Sequence, residues 1–261
     1  MQEMMLQTVF PFLLSATIVI LITVIAEKYG TKIGGIIGGM PTTIIVAYVF
    51  IAINRGIEFA SESVAVVPAE MGINLVFVFL FALIAFKSKI FALILSFACW
   101  TILSAILFFT TTNNISISIA IYFLSIIATF YLLEKKIKVK SVSRIKVHYT
   151  PFKIALRGIL AGTIISIAVM LSNFNATLSG IFTVFPAILS STMIISLKEH
   201  GPDFSAGMAK SMILGSLSVM SYAVSIHFFY RLYGIIFGSI IAFFISLLVT
   251  LIILQLRKKI K

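Results

Sequence analysis

Residues 35–59, GIIGGMPTTIIVAYVFIAINRGIEF, and residues 180–204, GIFTVFPAILSSTMIISLKEHGPDF, are one segment present twice, 145 positions apart and aligned without a gap. Gly35 falls on Gly180, Ile36 on Ile181, Pro41 on Pro186, Gly56 on Gly201 and Phe59 on Phe204, with Glu58 over Asp203. In each copy a glycine precedes by six residues a proline set inside an apolar run, and the run ends at a polar turn containing glycine. Self-similarity over this distance is a property of architecture rather than of local structure.

Composition sets the solvent in which that architecture must work. Of 261 residues 61% are hydrophobic and only 11% charged, with a mean hydropathy of +1.17. One soluble core cannot bury so much apolar surface, so the expected class is an all-α integral membrane protein. A net charge of +12 would suggest nucleic acid in a soluble domain, but here the basic residues lie in short stretches between apolar runs. That is the pattern of cytoplasmic loops, and no nucleic-acid partner is expected. Cys99 is the single cysteine, which excludes a disulfide framework and a thiolate metal site. The first apolar run follows MQEMMLQ, which has no Lys or Arg, and reads as a retained helix rather than a cleaved signal.

A spanning helix needs about 20 mostly apolar residues. Nine candidates fall near 7–26, 32–53, 64–86, 90–110, 115–133, 155–172, 177–197, 205–228 and 232–255. Alternate loops then carry Lys28 and Lys32, Lys87 and Lys89, the cluster from Lys135 to Arg157, Lys198, and the tail from Arg257 to Lys261. The opposite side holds only Arg55 and Arg231, which puts the N-terminus outside and the C-terminus in the cytoplasm of a multi-pass cytoplasmic-membrane protein. In that topology the second helix runs outward and its repeat partner, the seventh, runs inward. The expected organisation is a four-helix repeat over 1–112, a linker transmembrane helix over 113–134, a basic cytoplasmic loop over 135–154 and an inverted four-helix repeat over 155–261. Inverted repeats recur in secondary transporters, where exchanging the conformations of two similar halves switches access from one side to the other.

The two prolines lie about nine or ten residues into their helices, roughly 15 Å deep in a ~30 Å hydrocarbon core. Each removes an amide donor and frees a carbonyl four residues earlier, that of Ile37 or of Phe182. In hydrocarbon a freed carbonyl needs a partner. The expected substrate site therefore lies between the two broken helices. It comprises Gly35, Ile37, Gly38, Pro41, Thr42 and Thr43 from the first copy and Gly180, Phe182, Thr183, Phe185, Pro186 and Ser190 from the second. Two plainer roles compete. Gly34-x-x-x-Gly38 and Ser179-x-x-x-Thr183 suit close helix packing, and the hydroxyls suit bonds back to their own helices.

Glu70 and Lys210 enter apolar runs, and intramembrane charge marks function by default. Glu70 is a candidate for proton coupling and Lys210 for attracting an anion. Alternatively, Glu70 follows Pro68 in the first turn of a helix, where a carboxylate suits the dipole, and Lys210 snorkels to the interface. His148, His200 and His227 have no metal spacing. No nucleophile–base set, phosphate loop or carboxylate cluster is present, so neither an enzyme nor a cofactor is expected. Asn114-Ile-Ser and Asn175-Ala-Thr match the glycosylation pattern. The basic stretch 135–146 is a topology determinant suited to anionic lipid heads.

The second copy with its following helix, residues 179–225, SGIFTVFPAILSSTMIISLKEHGPDFSAGMAKSMILGSLSVMSYAVS, resembles the small GlpM-like inner-membrane proteins, a family of unassigned biochemical function. The likeness rests on the small-Gly-apolar start, the Phe185–Pro186 pair, the polar turn and a later helix carrying Gly215; the first copy is looser, with Met40 in place of the aromatic. The resemblance implies a fused duplicate of a unit that otherwise pairs antiparallel. The inverted four-helix pair is also similar to small multidrug-resistance and drug/metabolite transporters, but the first helix lacks their embedded glutamate, which argues against a cationic-drug antiporter. The functional expectation is a secondary transporter or exporter of a small anionic or zwitterionic metabolite. A passive channel and a membrane scaffold or lipid-binding subunit are the alternatives.

Overall fold

The computed structural model describes residues 4–29, 41–110, 114–137 and 150–259, and every element among them is a helix. In chain order these are α1 (Phe10–Tyr29, preceded by a π-helical turn, Met5–Val9), α2 (Thr42–Arg55), α3 (Ile57–Val64), α4 (Val67–Ile84) and α5 (Lys89–Thr110). There follow α6 (Ile115–Leu132, prolonged by a π-helical turn, Leu133–Ile137), α7 (Pro151–Leu171), α8 (Ala176–Thr183), α9 (Ala187–His200) and α10 (Pro202–Lys259). Seven of the described helical stretches are long and apolar enough to cross a membrane, with α3–α4 and α8–α9 each counted as one. Gly35, Ile37 and Gly38 lie outside the described residues.

Local chemistry accounts for most boundaries. Asn114 starts α6 by accepting from the backbone N–H groups of Ser116 and Ile117, and Asn175 starts α8 by accepting from that of Leu178. Both asparagines of the Asn-x-Ser/Thr pattern are thus helix caps. Thr150 caps α7, with Pro151 in the first position, where its missing N–H costs nothing. Pro68 lies in the first turn of α4 and cannot donate backward, which marks the joint between α3 and α4.

At 58 residues α10 would be about 87 Å long if straight, far more than a bilayer core. It is broken at Gly234 (φ 73°, ψ −178°). The two arms fold back on one another: Tyr230 Oη lies 2.8 Å from Ser239 Oγ, and Ser218 Oγ donates to the Ser246 carbonyl at 3.1 Å. The break at Gly234 falls two residues inside the expected last span, 232–255, so the turn between the last two spans lies later than the apolar lengths suggested.

α4 is the centre of the bundle, with α5, α6 and the first arm of α10 around it and α2, α3, α8 and α9 filling the interior. The deep core includes Tyr48, Phe77, Phe81, Met193, Tyr222 and Tyr230. The outer helices are inverted relative to a soluble protein: Phe109 is 82% exposed and Leu124 70%, apolar faces suited to lipid. Close approach depends on small residues. A methyl added at Gly158 would meet Ile20, and one at Gly162 would meet the Phe12 carbonyl at 2.7 Å. Gly158-x-x-x-Gly162 is therefore what seats α7 against α1, a motif the sequence reading passed over.

Candidate functional site

Pro41 and Pro186 occupy matching places. Each is the residue before a 14-residue helix, α2 or α9, with φ/ψ of −75°/47° and −76°/33°. Each helix ends at a glycine of positive φ, Gly56 (89°, 166°) or Gly201 (83°, 179°), whose N–H donates to Ala52 or Leu197. That backbone region is essentially restricted to glycine. The next helix begins one residue later in both cases. These equivalences preserve the 145-residue offset.

The apolar stretch bearing Pro186 is interrupted, not merely bent. α8 stops at Thr183, Val184 leaves helical geometry (φ −118°, ψ 21°), and α9 starts after Pro186. The expectation that proline frees the Phe182 carbonyl is corrected by the turn itself, since Phe182 O accepts from Phe185 N at 3.2 Å. The carbonyl needing outside help is Val184 O. It accepts from Asn74 Nδ2 of α4 at 2.7 Å. Asn74 is fully buried, and among the described residues its Oδ1 has no hydrogen-bond partner.

Between these elements lies a cavity of about 80 Å³, with room for a few waters or a small polar group. Its walls are Pro41 to Ile44 at the start of α2, Val184 and Phe185 in the break, Ile188 and Leu189 in the first turn of α9, and residues of α4 and α10 including Asn74 and Ser216. Two helix N-termini with their positive dipole ends thus border one space, although the first amide of α9, Ala187 N–H, donates to Phe185 O at 2.8 Å. Asn74 Oδ1 adds an unmet acceptor to the same wall. The arrangement suits a small solute carrying an anionic group and a donor.

Of the residues expected at a site, Pro41, Thr42, Thr43 and Phe185 come together here. Pro186 is buried and caps α9, and Phe182 stacks on Phe185 with ring centroids 6.0 Å apart. Gly180 does not line the cavity: a methyl there would run into the Ser63 carbonyl, so it is the contact between α8 and α3. The Thr183 hydroxyl donates to Gly180 O, and those of Ser190 and Ser191 donate to Ala187 O and Ile188 O, the back-bonding alternative. Ser190 faces a neighbouring cavity.

Glu70 does occupy the first turn of α4, but α3 continues into α4 as one 28-residue apolar stretch with Glu70 near its middle. It is fully buried, and Ser104 Oγ of α5 donates to its Oε1 at 2.8 Å. The Trp100 indole N–H lies beside the same carboxyl, outside hydrogen-bonding geometry. Trp100 packs edge-on against Phe185 at 4.9 Å, so Glu70 connects to the cavity wall through one aromatic contact. Along α4 it is also one turn from Asn74. Lys210 is elsewhere: it pairs with Glu134 after α6 and lies 5.5 Å from the Phe130 ring centroid, tying α10 to α6 rather than facing the cavity.

Two polar residues were missed. Asn74 is the one strongly polar uncharged residue in the apolar run of α4, a signal of interhelical hydrogen bonding that was available. Arg157, counted among the loop charges, is buried in α7 and donates to Thr192 Oγ1 at 2.6 Å and Ser191 Oγ at 3.2 Å.

No curated protein and no solved structure matches the chain. Residues 8–113, which run from the turn before α1 to just past α5, match the family described as Protein of unknown function (DUF3147).

Proposed function

We propose that this protein is a secondary transporter of a small polar metabolite, anionic or zwitterionic, that binds between α2 and α9. The observation that carries the reading is the meeting of two proline-started helix N-termini and the unmet Oδ1 of Asn74 around one cavity. Broken helices whose positive ends point at substrate are a recurrent transporter device. The architecture in this reading is four plus one plus four, with α6 as the linker that inverts the second repeat. Counting the arms of α10 separately and the stretch ending at Arg55 as one gives nine spans. The basic loops put the C-terminus in the cytoplasm. Glu70 is the coupling group, because a buried carboxyl at mid-span is the natural place for a transported proton. Lys210, which faces Glu134 and α6 away from the cavity, has no part in substrate selection in this reading.

The test is reconstitution in liposomes and measurement of solid-supported-membrane currents on stepping organic anions, amino acids and cations, with and without a pH gradient. Saturable currents for an anionic or zwitterionic solute, lost in a Pro41→Ala/Pro186→Ala double variant that still folds, are expected. Currents linear in concentration would mean a channel. Silence, together with absent isotope uptake, would leave a scaffold or lipid-binding subunit.

A further inference from the structure

A second cavity, of about 510 Å³, adjoins the first, and Phe185 lines both. It runs between α7 and α9 toward the end of the bundle where α7 starts and α9 ends. Near the helix ends are Lys153 and Lys198, and Arg157 lies one turn deeper on the face of α7 that carries Lys153. Leu156, Leu160, Ile194 and Ile195 supply apolar wall beside these cations, and Ser190 and Ser191 line the cavity deeper along α9. No Asp or Glu lines it among the described residues; the neighbouring Glu199 pairs with Lys153 and is 3.9 Å from His200.

One wall is open to the surroundings of the bundle. Phe152 is 75% exposed, Leu156 44% and Leu160 38%, all on the outer side of α7. Along an apolar helix that side faces lipid. An anionic headgroup at the cations with a hydrocarbon chain along the leucines and isoleucines satisfies both halves of the cavity, whereas a small hydrophilic anion leaves the apolar half unused. Arg157 is built in rather than snorkelling, since the Ser191 and Thr192 hydroxyls hold its guanidinium against α9.

We propose that this crevice binds one anionic phospholipid from the surrounding bilayer, with its phosphate at Lys153, Arg157 and Lys198 and one acyl chain along Leu156, Leu160, Ile194 and Ile195. The occupant bridges α7 and α9. The site stands whether or not the central cavity carries a solute, and its test needs no transport assay.

Purified protein in detergent is titrated with phosphatidylglycerol or phosphatidylcholine of matched chains, and retained lipid is counted by native mass spectrometry. One phosphatidylglycerol should be retained in clear preference to phosphatidylcholine. Each basic residue near an anionic headgroup contributes about 1 kcal/mol, about fivefold, so Lys153→Gln with Lys198→Gln should weaken phosphatidylglycerol retention by about tenfold or more. Leu160→Trp, which fills the apolar half, should reduce retention of both lipids. Thermal unfolding identifies any variant that fails to fold, and Leu156→Trp then replaces Leu160→Trp. Inorganic phosphate should not displace the lipid; displacement would mean that the anion alone is recognised and would overturn the proposal. Equal retention of the two lipids would overturn it, as would a preference that survives both sets of substitutions, because the lipid would then lie on another basic surface.

Discussion

Replacing Asn74 with leucine removes the side chain that bridges α4 and the break between α8 and α9. The substitution keeps the volume and apolar character of the run but leaves Val184 O, 2.7 Å from the lost donor, without its partner. A buried acceptor left unsatisfied costs about 1–3 kcal/mol. Interhelical hydrogen bonds in membrane proteins average only about 0.6 kcal/mol, because the unfolded chain in the membrane also finds partners for these groups. Val184 lies outside helical geometry, with Pro186 two residues on and unable to donate. The upper part of the range therefore applies, about 1.5–3 kcal/mol. Equilibrium unfolding in mixed micelles, titrated with a denaturing detergent, reads this directly. Asn74→Asp is the control: protonated, it can still donate to Val184 O, so its loss should be smaller at low pH than at high pH. An Asn74→Leu variant as stable as the parent would refute the reasoning, since something other than Asn74 would then satisfy the break.

Glu70→Gln preserves an acceptor for Ser104 and should fold normally, yet lose any dependence of uptake on a pH gradient; retained dependence in flux assays would remove Glu70 from coupling. Among the described residues Gly56→Ala and Gly201→Ala meet no neighbouring atom within 4 Å, so each should cost only backbone strain, about 1–3 kcal/mol by unfolding titration, and the two costs should agree if the copies are equivalent. Gly180→Ala instead pushes α8 off the Ser63 carbonyl and should cost about 1–3 kcal/mol or abolish folding, a result separable from any loss of binding by measuring stability first.

Much of the helical framework was legible because its causes are local. Apolar length predicts the long helices, Asn114, Thr150 and Asn175 start three of them, and Gly56 and Gly201 mark two breaks through backbone angles that glycine adopts readily, whereas the break at Gly234 fell inside an expected span. The matched places of Pro41 and Pro186 followed from aligning the chain with itself. What a freed carbonyl would find was not legible. The turn at 182–187 satisfies Phe182 O by itself and passes the need to Val184 O. Local rules fail there because proline states which donor is missing and not how the chain turns afterward.

The polar pairings were decided by tertiary structure. Asn74 meets a carbonyl 110 residues away, Glu70 a hydroxyl 34 away and Arg157 a hydroxyl 35 away. Helix periodicity assigns each a face, but which helix covers that face depends on how all the apolar surfaces pack. Gly180 and Lys210 make the same distinction from the other side: a small residue or a charge inside an apolar run is visible in sequence, while its partner, the Ser63 carbonyl or Glu134, is chosen by the fold. A hydrocarbon solvent demands that each buried polar group be satisfied within the protein, and only the packed bundle specifies by which neighbour.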